Sequence, residues 1–243
     1  MASLPSAFAA VYVAQGRKEM IPAAALDRAS AEGSAALDAL VWRAIISWMA
    51  GENNAAKELV RRSLEREPLF GAPRMIFGET LRVEGDVQGA IREQLRVLEQ
   101  APGNISAIRW LALAYLDADA IDQARALLEE KRGAFGENFL WRSVWALLLA
   151  CEGKRTEAIE AMDAETLKFA RFVFVATLEV AEFYAVLGDT SRALEWIEAA
   201  VRNGDERAEW FRRNPRLAAI RDDPRFRRML QSIETRRSQR PPR

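Results

Sequence analysis

Apolar residues recur along the chain at spacings of three and four, the period of an α-helix with one buried face. Single glycines or short polar turns separate these stretches, and runs of β-branched residues are few. The pattern predicts an all-α protein with an extra turn between 163 and 172. Its antiparallel helix pairs are predicted near 3–15 with 20–31, 35–50 with 53–66, 71–84 with 87–100, 104–117 with 120–132, 138–152 with 155–162, and 170–187 with 190–203.

A glycine marks the turn inside most of these pairs, at steps of 34 or 35 residues or twice 34. Asp119 stands at the one place where the glycine is missing, and aspartate also tolerates a left-handed backbone. Glycine ends a helix with positive φ because it has no Cβ to clash, so each marker predicts a reversal of the chain. The markers are Gly16, Gly51, Gly85, Gly153 and Gly188.

A small residue follows each turn by five positions, which lets the second helix pack closely against the first. Only the first unit departs, with Ile21 at this place. The small residues are Ala56, Ala90, Ala124, Ala158 and Ala193. The two markers together predict repeat units near 2–34, 37–70, 71–104, 105–138, 139–172 and 174–204, then capping helices over 204–235 and a basic disordered tail over 236–243.

The third unit carries most of a known repeat signature, in which W-x2-L-G-x2-Y is followed by A-x3-F and P. Its matching residues are Phe77, Gly78, Leu81, Gly85, Ala90 and Pro102. With a period of 34, the chain resembles the tetratricopeptide repeat (TPR) proteins. That resemblance implies a right-handed α-solenoid of about six helix pairs, closed by a C-terminal helical cap.

The C-terminal part has a more particular pattern. It contains Tyr-Ala-x-Leu-Gly-Asp at 184–189, Ala-Leu-x-Trp at 193–196, Asn-Pro-x-Leu at 214–217 and Asp-Pro-Arg-Phe-x-x-x-Leu at 223–230. This order resembles the C-terminal TPR region of bacterial winged-helix, adenylate-cyclase-like and kinase regulators, which implies a sensory or protein-contact module. Pro215 and Pro224 suit the first turns of short helices, and Asp223 suits an N-cap.

The amino-acid composition excludes most common kinds of catalytic site. The chain has no histidine and a single cysteine, Cys151, so Ser-His-Asp and Cys-His arrangements and multi-cysteine zinc sites cannot form. No phosphate-binding or dinucleotide-binding glycine motif is present. We therefore expect no enzyme activity, cofactor or metal. Cys151 and the tryptophans Trp110, Trp141, Trp145 and Trp196 are expected in the core.

The net charge is zero, but the charged residues are unevenly distributed along the chain. From Arg202 to Arg243 there are 13 arginines and 6 acidic residues. No aromatic stacking platform accompanies them, so we interpret them as the exposed face of a capping helix and expect no specific nucleic acid. No apolar window is long enough to span a membrane. The cytoplasm is the expected compartment, with the periplasmic side of an anchored regulator as the alternative.

The resemblance also implies where a partner would bind, because the first helix of each pair lines the concave wall of a TPR array. The wall is mostly apolar, so we expect a protein or peptide partner with an apolar or amphipathic segment. Three alternatives stay open: the same residues belong to the core, the chain's own C-terminus covers them, or a second copy forms a homo-oligomer there. The predicted partner-binding residues are Val41, Ile45, Trp48, Met49, Met75, Glu79, Arg82, Arg109, Leu113, Leu116 and Leu147.

Overall fold

The computed structural model describes residues 36–239, and every regular element in this range is a helix. The first predicted helix pair and the last four residues lie outside the described residues. The α-helices are α1 (Ala36–Met49), α2 (Asn53–Arg66), α3 (Gly71–Glu84), α4 (Val87–Gln100), α5 (Ile105–Asp117), α6 (Ile121–Phe135), α7 (Phe139–Cys151), α8 (Arg155–Ala161), α9 (Ala164–Ala170), α10 (Phe174–Val186), α11 (Thr190–Arg202), α12 (Ala208–Arg213) and α13 (Pro224–Ser238). A 3-10 helix spans Pro215–Ile220.

These helices pack as successive hairpins: α1 with α2, α3 with α4, α5 with α6, α7 with α8, and α10 with α11. The first helices also contact one another in order along the array, from α1 through α3, α5 and α7 to α10. They form one continuous wall, which we call the inner face. The chain is thus an all-α solenoid over its described length.

The turns inside the hairpins have the backbone that their residues favour. Gly51, Gly85, Gly153 and Gly188 have φ between 70° and 95°, and Asp119 has φ 56°. At Gly85, the amide of the next residue donates to Leu81 O at 2.9 Å, which closes the end of α3. These are the five positions in the described residues at which the sequence predicts a turn.

The small residues after the turns are all buried between paired helices. Ala56, Ala124, Ala158 and Ala193 have no exposed surface, and Ala90 is 1% exposed. A larger side chain at any of them would meet a close-packed neighbour, because protein interiors contain few voids of that size. The second helix of each hairpin is therefore held against the first along its opening turns.

The structure departs from the predicted elements at two places. The extra turn between units is a full short helix, α9, because Asp163 caps it by accepting from Thr166 N at 2.8 Å. Since α9 ends at Ala170, the first helix of the sixth unit begins at Phe174 rather than near 170. At the C-terminus, α13 continues to Ser238 and includes Arg236 and Arg237, which the sequence assigned to a disordered tail. Arginine is a good helix former, so the helix runs on.

Candidate interaction face

A stretch of chain after α11 lies against the inner face. We call residues 205–217 the closing segment; it contains α12 and the start of the 3-10 helix. Gly204, with φ 85°, reverses the chain at the end of α11 and directs the segment back along the wall. Most of the segment is buried, and Phe211 and Leu217 have no exposed surface.

The first part of the closing segment lies on α1 and α3. The amide of Glu206 donates to Met49 O at 2.8 Å, at the end of α1. The guanidinium carbon of Arg207 lies 3.9 Å from the centre of the Trp48 ring, and that of Arg82 lies 4.8 Å from the Trp210 ring. Arginine on an aromatic face is favourable, and more so where both groups are desolvated.

The second part ends in a buried network of charges. Arg216 donates to Glu182 at 2.7 Å through Nε and also to Asp117 through Nη1. Arg82 of α3 donates to the same Asp117 at 2.7 Å. Asn214 completes the set by donating to Glu182 at 2.6 Å. One carboxylate from α5 and one from α10 thus hold the closing segment in place.

The two arginines of this network stay ionised inside the protein because each has acidic side chains beside it. Burial acts to lower the pKa of Arg82, but Glu79 and Asp117 outweigh it and hold the pKa above its ordinary value. The pKa of Arg216 is raised in the same way, against burial, by Asp117 and Glu182. Removing one member would leave buried charges with only part of their counter-charge.

A second buried pair joins α5 to α10 beside this network. Arg109 Nε donates to Glu179 at 2.6 Å, and the hydroxyl of Ser143 on α7 donates to the same carboxylate at 2.8 Å. Burial raises the pKa of Glu179 above its ordinary value, although Arg109 and Ser143 both act to lower it. Three successive first helices are thereby tied together by polar contacts within the inner face.

The residues that the sequence predicted for partner binding all lie on the first helices that form the inner face, and Trp48, Met49 and Arg82 contact the closing segment. Ile45 and Met75 are half-buried; the others are buried: Val41, Trp48, Met49, Glu79, Arg82, Arg109, Leu113, Leu116 and Leu147. At Trp48, Met49 and Arg82 the described chain has the arrangement that the sequence left as an alternative, in which the C-terminal part covers this face. Partner binding at these residues stays a prediction.

The sequence leaves covering by the C-terminus open, but it does not indicate that residues 205–217 are the part that lies on the inner face. Asp205, Arg207 and Arg216 were grouped with the exposed arginine-rich end, although all three are at least nine-tenths buried. The available signal was the run Ala-Glu-Trp-Phe, since two large aromatic residues in a polar stretch need a core to pack against.

The expected core aromatics are mostly buried. Trp110, Trp141 and Trp196 are between 3% and 6% exposed, while Trp145 is half-buried and stacks on Trp141 with ring centres 5.2 Å apart. Cys151 is half-buried at the end of α7. Burial raises the pKa of its thiol to about 11, and Glu182 and Asp117 add to the rise, while Arg216 opposes it.

We expect Cys151 to alkylate slowly. Iodoacetamide reacts with the thiolate, and at pH 8 a thiol of pKa about 11 has a thiolate fraction about two orders of magnitude below that of an ordinary cysteine of pKa about 8.5. Mass spectrometry of the folded protein against the protein in urea measures the ratio. Equal rates in the two states would contradict the burial of this thiol.

Within residues 36–239 there is no cluster of three or more histidine, cysteine or acidic side chains placed to bind a metal ion. No helix in this range has both the length and the apolar character needed to cross a bilayer.

The fold resembles several solved structures at low sequence identity. One chain of the APC/C hetero-tetramer Cut9–Hcn1 matches 94% of this chain at 12% identity with a TM-score of 0.62, and the match spans about half (48%) of that chain. A tetratricopeptide repeat protein from Parabacteroides merdae matches 95% of this chain and 91% of its own at 15% identity and TM-score 0.52. PilF from Pseudomonas aeruginosa matches 87% of this chain and 91% of its own, at 17% identity and a TM-score of 0.50.

No protein-family model matches the chain, and no curated protein matches it in sequence. The structural likenesses, all below 25% identity, concern the fold. Together with the hairpin repeat and its glycine turns, they show that this chain is an all-α solenoid with the tetratricopeptide repeat fold.

Proposed function

We propose that this chain is a non-enzymatic protein-interaction module whose inner face binds a protein segment. The observation that supports the proposal is the closing segment, a stretch of polypeptide already seated on four first helices, α1, α3, α5 and α10. Its contacts combine apolar packing, arginine–aromatic stacking and buried ion pairs, which are the contacts that protein partners use at interfaces. In this conformation the chain supplies its own ligand.

A partner would reach the inner face by taking the place of the closing segment. Its affinity would then depend on how strongly the segment is held, because a competent state that is rarely populated lowers the apparent affinity in proportion. Arg216 is the residue to change. It joins Asp117 and Glu182 through two different nitrogens, and lysine has only one nitrogen to offer.

We expect Arg216→Lys to increase partner capture by the full-length chain. Losing part of the buried network should ease release of the segment by about 1–2 kcal/mol, which is a factor of about 5–30 in population. The measurement is cross-linking of the tagged chain in its native cells, with the partner identified by mass spectrometry. Hydrogen exchange over 205–217 should accelerate in the same variant.

The matched control is Arg228→Lys on the exposed side of α13. A partner captured equally by the wild type, the control and Arg216→Lys would bind elsewhere on the array. Failure to cross-link any protein reproducibly would contradict the interaction function as a whole.

Self-association is the second candidate, and an exposed aromatic patch favours it. Phe169 on α9 is 48% exposed and stacks on Phe139 with ring centres 4.7 Å apart, and Phe172 beside it is 66% exposed. Exposed aromatic side chains in a group often mark contact surfaces. Sedimentation should then show a mass that rises with concentration and falls back to the monomer in Phe172→Ser. A strict monomer at high concentration would exclude it.

The C-terminal motif order supports a finer assignment, as a sensory or scaffold region of a bacterial regulatory protein. The compartment proposed with it is the cytoplasm, or the periplasmic side if the regulator is membrane-anchored. The gene's full reading frame tests this assignment. An effector domain of the winged-helix, cyclase-like or kinase type on the same polypeptide would support it, and a polypeptide of repeats alone would contradict it.

A further inference from the structure

A cavity of about 190 Å³ lies at the end of the inner face, where the closing segment meets the turn after α1 and the end of α3. Three arginines line it: Arg207 and Arg213 from the closing segment and Arg237 from α13. A water molecule takes up about 30 Å³ in the liquid, so the cavity has room for a group of several heavy atoms. This site is separate from the buried charge network.

Two residues that line the cavity carry buried hydrogen-bond donors without acceptors. The indole nitrogen of Trp210 and Nη1 of Arg207 are both buried and have no hydrogen-bond partner in the described part of the chain. The side chains of both residues are about 95% buried. Buried donors are rarely left unpaired, because an unpaired donor loses its hydrogen bonds to water without gaining others. Asn53, which also lines the cavity, has a buried side-chain oxygen without a partner, and the flipped amide would place a donor nitrogen there instead.

Two of the three arginines that line the cavity, Arg207 and Arg213, have an acidic partner, and Arg237 has none within the described residues. Glu84 pairs with Lys57 at 3.0 Å, and Glu209 lies 3.3 Å from Arg212 and 3.7 Å from Arg213. Asp205 is already occupied by Arg207. Among residues 36–239, no carboxylate lies within ion-pair distance of Arg237, which leaves its charge available to a ligand.

The position of Arg237 follows from the face of α13 on which it lies. Leu230 and Ile233 are buried on that face, and Arg237 follows Ile233 by one helical turn. Its Nη1 lies only 3.2 Å from where a Cβ on Gly51 would be, so glycine at this turn is what lets the guanidinium reach the cavity. Arg236, one position earlier, does not line it.

We propose that this cavity binds a single oxyanion group, a carboxylate or a phosphate, with Arg237 as the principal contact and the Trp210 indole and Arg207 as further donors. Planar guanidinium groups match the oxygens of both anions, and hydrogen bonds to an ionised acceptor are about twice as strong as neutral ones. The anion would also bridge α13 to the closing segment, since it contacts residues of both.

The experiment follows the Trp210 indole N–H signal by NMR in the full-length protein, identified by its loss in Trp210→Phe. The probes are inorganic phosphate, acetate, and a short peptide with a free carboxyl terminus beside the same peptide as its amide, all at fixed ionic strength. We expect a saturable shift that weakens about tenfold or more in Arg237→Gln and is unchanged in Arg236→Gln, the matched control. A larger response to the free-acid peptide than to its amide identifies a carboxylate ligand, and a response to phosphate alone identifies a phosphoryl ligand.

Two results would overturn the proposal. One is no saturable shift with any of the anions. The other is an equal loss in Arg236→Gln and Arg237→Gln, which would show general attraction to the arginine-rich helix rather than a site. Both variants change exposed side chains of α13, so we expect both to fold, and the remaining amide signals check this. Neither outcome depends on the identity of a protein partner.

Discussion

Asp117→Ala should lower the free energy of unfolding by about 3–5 kcal/mol. The side chain of Asp117 is 3% exposed and accepts hydrogen bonds from two buried arginines, Arg82 and Arg216. Without it, two guanidinium groups remain in the interior with only part of their counter-charge. Urea unfolding followed by circular dichroism and by tryptophan fluorescence measures the change.

The control for this substitution is Asp222→Ala. Asp222 also pairs with an arginine, Arg227, but its side chain is 94% exposed, and surface ion pairs contribute about 0–1 kcal/mol. The difference between the two variants therefore measures how much of the stability loss comes from burial of the ion pair rather than from the pairing alone. A similar small loss in both variants would mean that the closing segment is not packed as the structure shows.

Phe211→Ala should also lower the free energy of unfolding, by about 3–5 kcal/mol. Phe211 has no exposed surface and belongs to the main hydrophobic core, although it lies in the middle of an arginine-rich segment. Its removal leaves a cavity between the closing segment and the array that the rigid hairpins cannot fill. Thermal unfolding with and without urea would measure the loss.

Phe172→Ala provides the matched comparison for Phe211, because the same side chain is lost from a position that is 66% exposed. Its effect on stability should stay within about 0.5 kcal/mol, as is usual for surface substitutions. If Phe211→Ala were equally mild, the segment would be only loosely attached, and the inner face would be open to a partner in the wild type.

The repeat was predictable because its signals are local. A glycine turn and the small residue five positions after it depend on one hairpin only, so the pattern around Gly85 and Ala90 indicated that geometry without reference to the rest of the chain. Asp223 as an N-cap, which accepts from Arg225 N at 2.7 Å, is predictable for the same reason.

The covering of the inner face was not predictable in that way. Arg216 finds its carboxylate on Asp117, a residue 99 positions earlier, and nothing in the local pattern indicates that pairing. An arginine beside other arginines is ordinarily exposed, so composition gave the opposite expectation. The buried state of Arg82 and Glu182 was hidden too, since charged residues on a wall helix fit a ligand groove equally well.

The closing segment also changes how the array should come apart. In a simple repeat solenoid each unit touches only its neighbours, so end units can fray while the middle stays folded. Here Arg213 donates to Val83 O, 130 positions earlier, and Glu206 bonds to the end of α1. These contacts join the closing segment near the C-terminus to the first two described hairpins. We therefore expect the hairpins between these contacts to unfold together, in a single cooperative step for the described array.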